Sequence, residues 1–121
     1  MQGKTILLVD DEKDIVKVVK NRLEKAGYQV VVAYDGPGAL EKAKESPGLI
    51  LLDIMMPGMD GYEVLKKMRD NPETRFTPVI MFTVRAETSS IFKAQDLGVT
   101  DYIMKPYDLA DLLKLVKKHV F

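Results

Sequence analysis

Two apolar runs in this chain end abruptly in acid. Thr5-Ile6-Leu7-Leu8-Val9 stops at Asp10-Asp11, and Leu49-Ile50-Leu51-Leu52 stops at Asp53. A short run without polar alternation has no wet face, so it predicts a strand buried on both sides, as in parallel sheets. Gln29–Ala33, residues 78–83 and Asp101–Met104 read as three further strands. Between the strands the apolar spacing turns helical. Ile15, Val18, Val19, Leu23 and Ala26 mark a first helix, closed by Gly27. Gly36-Pro37-Gly38 opens a second, with Ala39, Leu40 and Ala43, and Pro47-Gly48 ends its connection. A loop holding Pro57, Gly58 and Gly61 leads to a third, with Val64, Leu65 and Met68, which runs to Asn71-Pro72. Ile91, Phe92 and Leu97 form a weaker fourth stripe that stops at Gly98. Leu109, Leu112, Leu113, Val116 and Val120 form the last.

Strands that alternate with helices predict right-handed βαβ units and an α/β fold, with a parallel sheet covered on both faces. At 121 residues the chain suits one domain, expected over 1–121 with no output domain among them. Eighteen basic residues balance 18 acidic ones, so there is no electrostatic case for nucleic acid or an anionic membrane. Cysteine is absent, which excludes disulfides and thiolate metal sites. The apolar run over residues 6–9 is too short for a signal peptide or a membrane span, so a cytoplasmic location is expected.

Polar residues gather where the strands end. Asp10 and Asp11 follow the first, Asp53 closes the third, Thr83 closes the fourth, and Lys105-Pro106 follows the fifth. In an open parallel sheet these ends share one edge, where ligands bind. Clustered carboxylates repel one another, and a hard divalent cation relieves that repulsion. A carboxylate can also act as nucleophile and carry a phosphoryl group. Lys105 and Thr83 supply the cation and hydroxyl that an anionic transferring group needs. Singly, each residue has an ordinary explanation. Asp-Asp before a helix is helix capping, a strand-end Asp is turn chemistry, and Lys before Pro is a solvated surface group. Together these explanations fail, because suitable residues stand at the ends of four strands on one edge.

Val9-Asp10-Asp11-Glu12, Leu52-Asp53-Ile54-Met55-Met56-Pro57-Gly58-Met59-Asp60-Gly61, Phe82-Thr83 and Asp101-Tyr102-Ile103-Met104-Lys105-Pro106 stand in order over essentially the whole chain. In combination they resemble the response-regulator receiver domain of two-component signalling. The resemblance implies a flavodoxin-like (βα)5 fold, a doubly wound five-stranded parallel sheet of order 2-1-3-4-5. It implies that Asp53 accepts a phosphoryl group from a histidine kinase or phosphotransfer protein acting in trans. Asp10, Asp11, Asp53 and the backbone carbonyl of Met55 would bind Mg²⁺ or Mn²⁺, and Lys105 would pair with the phosphoryl oxygens. The bond before Pro106 would be cis. Thr83 and Tyr102 would form a switch acting on the face made by the fourth helix, fifth strand and fifth helix, for an output partner or domain that the sequence does not name. No enzyme activity beyond self-phosphotransfer and slow autodephosphorylation follows, and neither nucleic acid nor membrane contact. Tyr102 also reads as a half-buried strand aromatic with its hydroxyl in water.

Two segments depart from the family pattern. Val84 stands where alanine or glycine is usual, and Gly98-Val99-Thr100-Asp101 replaces the usual Gly-Ala-Asp-Asp. A second reading is a pseudo-receiver, a binding module that keeps the fold and takes no phosphate. Such proteins typically lose an acid or the lysine, and all are present here. A third, an aspartyl-phosphate phosphatase of the haloacid dehalogenase type, needs an acid two residues after the nucleophile, where Met55 stands.

Overall fold

A computed structural model describes residues 4–83 and 98–120, the side chain of Thr83 apart. The fourth helical stripe and Val84 lie outside the described residues.

Five parallel strands form one sheet: β1 (Thr5–Val9), β2 (Gln29–Ala33), β3 (Leu49–Asp53), β4 (Val79–Thr83) and β5 (Asp101–Met104). Their spatial order is β2-β1-β3-β4-β5, so strand order reverses between β1 and β3. Among the described residues the helices are α1 (Lys13–Lys25), α2 (Gly36–Ala43), α3 (Gly61–Asp70) and the C-terminal helix (Leu109–His119). Alternate strand residues feed two cores. Leu7, Val9, Ile50, Leu52, Val79 and Met81 pack with Ala39 and Ala43 of α2 and Val64, Leu65 and Met68 of α3. Ile6, Leu8, Leu49, Leu51, Ile80 and Phe82 pack with Val16, Val19 and Leu23 of α1 and Leu112 and Val116 of the C-terminal helix. The continuous apolar runs are explained by this arrangement, since each side chain from Leu49 to Leu52 meets one core or the other and none meets water.

Local chemistry sets the helix starts. Asp35 caps α2 by accepting from the Gly38 amide, Asp60 caps α3 through the Glu63 amide, and Asp108 caps the C-terminal helix through the Ala110 amide. At the other end of α1 the C-cap is Ala26, one residue before the expected Gly27. Gly61 also differs from expectation: it is the first residue of α3 and not part of the loop. The loop before it turns at Gly58, whose φ of +78° is a region that side-chain-bearing residues rarely enter.

Candidate phosphoacceptor site

Sheet register brings the acids together. Val9 pairs with Leu52, so the next residue on each strand, Asp10 and Asp53, stand side by side at the point where strand order reverses. Asp53 in turn pairs with Phe82, and Thr83 pairs with Met104, which places Lys105 just beyond on the same edge. Oxygens of Asp10, Asp11 and Asp53 all lie within 4.8 Å of one another, a spacing that suits a single cation. Asp10 and Asp53 are buried, and Asp11 is half-buried.

Asp10 does not cap α1. The N-cap of that helix is Glu12, whose side chain makes no capping bond, and Asp10 Oδ1 accepts from the Glu12 amide at 3.0 Å. The other oxygen, Asp10 Oδ2, is buried without a hydrogen-bond partner among the described residues. A buried carboxylate oxygen without a hydrogen bond is costly in a low-dielectric interior, and here it stands in a cluster of acids with a single lysine 3.5 Å away. A hard cation is the group that fits such a set of oxygen donors.

Lys105 is the counterweight. Its ammonium lies 3.3 Å from Asp53 Oδ2 and 3.5 Å from Asp10 Oδ2. Burial works against its charge, but Asp53, Asp10 and Glu12 outweigh that effect and hold its pKa above the ordinary lysine value. The Asp53 carboxyl is pushed up to about 6, first by burial and then by the neighbouring charge of Asp10. Lys105 and the Met55 amide, which donates to Asp53 Oδ1 at 3.3 Å, pull it partly back. Perturbed carboxyls with an identifiable charge partner mark functional clefts.

The remaining expected residues fall as follows. The Lys105–Pro106 bond is cis. Met55 follows Asp53 by two residues and its side chain is 66% exposed. Thr83 ends β4 beside Met104, and its side chain lies outside the described residues. Tyr102 faces outward on β5, 37% exposed. His119, in the last turn of the C-terminal helix, bonds Asp101 Oδ2 at 3.0 Å, at the opposite end of β5 from Lys105. Two features escaped the sequence reading. Gly61 presses on the backbone of Asp53 and Ile54, and Tyr107 stacks on Phe82 beside the cleft. The first had a signal in Asp60-Gly61-Tyr62-Glu63, an acid followed three residues later by Glu, which marks a helix start. The second had none.

A doubly wound sheet with three acids and a lysine at its switch point defines the receiver class of fold. Residues 6–117 match the response regulator receiver domain family, and the chain belongs to that family. It is 41% identical over 116 residues to the alkaline phosphatase synthesis transcriptional regulatory protein PhoP of Bacillus subtilis, covering 95% of this chain and 48% of that protein. It is 39% identical to the transcriptional regulatory protein CpxR of Escherichia coli, covering 93% of this chain and 47% of that protein. The chain thus spans about half the length of these curated relatives. Among solved structures it resembles the chemotaxis protein CheY4 of Vibrio cholerae, with a TM-score of 0.89, 34% identity and coverage of 95% of this chain and 97% of that one. It also resembles the receiver domain of sensor histidine kinase PA1611 from Pseudomonas aeruginosa, solved with a magnesium ion coordinated in the active site cleft, with a TM-score of 0.88, 29% identity and coverage of 98% of both chains.

Proposed function

We propose that Asp53 accepts a phosphoryl group from a phosphohistidine on a separate protein, in a Mg²⁺-dependent step that switches the surface around β5. The observation that carries this reading is one buried carboxylate held 3.3 Å from a lysine, with a second buried carboxylate oxygen beside it, 3.5 Å from the same lysine and without a hydrogen bond. Asp10, Asp11, Asp53 and the Met55 carbonyl would hold the cation, which when bound offsets negative charge on the incoming group. The magnesium ion in the cleft of the PA1611 receiver supports that assignment. An Asp53 oxygen attacks phosphorus while the donor's P–N bond breaks; the departing imidazole nitrogen keeps the electron pair and takes up a proton. Above about pH 6 Asp53 is the carboxylate, the form that can attack. Lys105 meets a phosphoryl oxygen, and the Thr83 hydroxyl donates to another. Tyr102 then changes rotamer and alters the face that an output partner or domain reads. The reaction belongs in the cytoplasm; no helix among the described residues is long and apolar enough to cross a membrane.

The test is incubation with acetyl phosphate and Mg²⁺. One phosphoryl group per chain should appear on Asp53 in the intact mass and in peptide mapping, and a chelator should prevent it. Labelling at another residue, or none, refutes the proposal.

Two variants separate the roles. Lys105→Ala should bind Mg²⁺ as tightly as the parent or more tightly, because a positive charge leaves the site. It should still lose the phosphorylation-dependent change at Tyr102, read by amide chemical shifts. A folded variant that no longer binds Mg²⁺ argues against this division of labour. His119→Gln should accept a phosphoryl group from a cognate kinase at the parent rate, since its imidazole bonds Asp101 and not the cleft. Losing that bond should lower stability by about 1 kcal/mol in denaturant titration. A large fall in transfer rate would place the donor on this chain instead.

A further inference from the structure

We propose that the stacked rings of Phe82 and Tyr107 form a positioning platform for the Lys105 ammonium, holding it where it meets a phosphoryl oxygen on Asp53. The inference rests on the phosphoacceptor reading and goes beyond it.

Lys105 Nζ lies 5.7 Å from the centroid of the Phe82 ring. Phe82 is 1% exposed, so its ring is held by the packing around it, and its backbone is the register partner of Asp53. Tyr107 stacks on that ring with centroids 5.2 Å apart and planes 19° from parallel. Tyr107, with Lys105 and Pro106, also lines an apolar groove of about 590 Å³ against Ile15 and Val18 of α1. It therefore packs on the Phe82 ring and also borders an open groove, so it helps keep that ring buried and fixed.

Two carboxylates alone do not define where Lys105 sits. Their pull is nearly isotropic, and the ammonium lies at similar distances from both, 3.3 and 3.5 Å. A cation in the acid cluster offsets much of that pull, whereas the attraction of a ring face is unaffected. Cation–π contacts strengthen as they are desolvated, and stacking adds a preference for one ring geometry. The platform is thus the part of the Lys105 environment that persists between the free and metal-loaded site. Tyr107 does not compete for the ammonium as a phenolate. Burial, then Asp10, Asp53 and Glu12, push its hydroxyl up to about 12.

The test compares Tyr107→Phe, which keeps the stack, with Tyr107→Leu, which keeps apolar bulk and removes the ring. Mg²⁺ is titrated first. Fluoroberyllate, a phosphoryl mimic, is then titrated at saturating Mg²⁺, both by calorimetry. Tyr107→Phe should match the parent in both titrations. Tyr107→Leu should match in Mg²⁺ affinity but bind fluoroberyllate about fivefold more weakly, because the ring that fixes Phe82 beside the ammonium is gone and the stacking and cation–π support loosen together. Equal weakening of both ligands would mean a merely structural ring, and unchanged fluoroberyllate binding would remove the platform outright. If Tyr107→Leu does not fold, Tyr107→Met fills the space with a flexible chain and is read the same way. A parent protein that binds Mg²⁺ but not fluoroberyllate overturns the phosphoacceptor reading, and the platform with it.

Discussion

Without divalent cation, Asp53→Asn should be more stable than the parent at neutral pH, by an amount on the order of 3 kcal/mol. Asp53 is 1% exposed and its carboxyl is pushed from an ordinary 3.8 up to about 6 by burial and by Asp10. The fold therefore favours the protonated form. The parent has the full benefit of that form below about pH 4 and loses it as the pH rises through about 6. A shift of about two units corresponds to roughly 3 kcal/mol, with the opposing pull of Lys105 already included. The variant lacks the titrating group, so the two stability curves should meet near pH 4 and separate towards pH 8. Saturating Mg²⁺ should narrow the gap at pH 8, because it binds the folded parent more tightly than the variant. Urea midpoints at several pH values in chelator, with and without added Mg²⁺, measure this. A pH-independent difference, or a less stable variant at pH 8, would show that Asp53 sits comfortably as an anion. The chemical consequence is separate and larger: Asp53→Asn should take up no label from acetyl phosphate.

Gly61→Ala should destabilise the domain by about 1 to 3 kcal/mol and displace Asp53. Two effects oppose each other here. Alanine is favoured over glycine inside a helix by roughly 1 kcal/mol, which alone predicts a stabilised α3. Against this, a Cβ at position 61 would lie 2.5 Å from the Asp53 carbonyl oxygen and 2.7 Å from the Ile54 Cα. Both are backbone atoms, so no flexible side chain can swing away. The Gly61 amide also donates to the Ile54 carbonyl at 2.9 Å, which ties the start of α3 to the end of β3. Overpacking against backbone costs more than propensity returns, and relief requires the strand end or the helix to shift. Equilibrium unfolding gives the stability, and the Mg²⁺ affinity reports the position of Asp53. Should the variant prove more stable with unchanged Mg²⁺ affinity, the close approach does not constrain the site.

These two residues mark the boundary between what the chain's own order reveals and what it hides. Asp53 was legible because burial is written into local pattern: four apolar residues in a row need cover on both faces, and the acid that ends them is left at an edge. The same logic located Asp10, Asp11 and Lys105, since parallel strands carry their C-terminal ends to one side. Met55 and the cis bond before Pro106 came from family resemblance and had no signature in periodicity. The helix starting at Gly61 was only partly visible, through the Asp60 and Glu63 pair, because a glycine after other turn residues reads as more turn.

What the sequence by itself determined is the alternation of buried strands and amphipathic helices, and with it which edge gathers the acids and the lysine. Those features depend on neighbours a few residues away, whose spacing sets burial. The tertiary structure decided the rest. It placed Tyr107 on Phe82, Arg69 on the Gly98 carbonyl 29 residues ahead, and His119 on Asp101. It also turned Asp10 from a helix cap into a cleft acid whose Oδ2 faces Lys105 without a hydrogen bond, and raised the Asp53 carboxyl to about 6. Each of these depends on atoms far apart in the chain meeting at specific distances within a medium that excludes water. Distance and dielectric are properties of the packed molecule, and no local pattern of residue types encodes them.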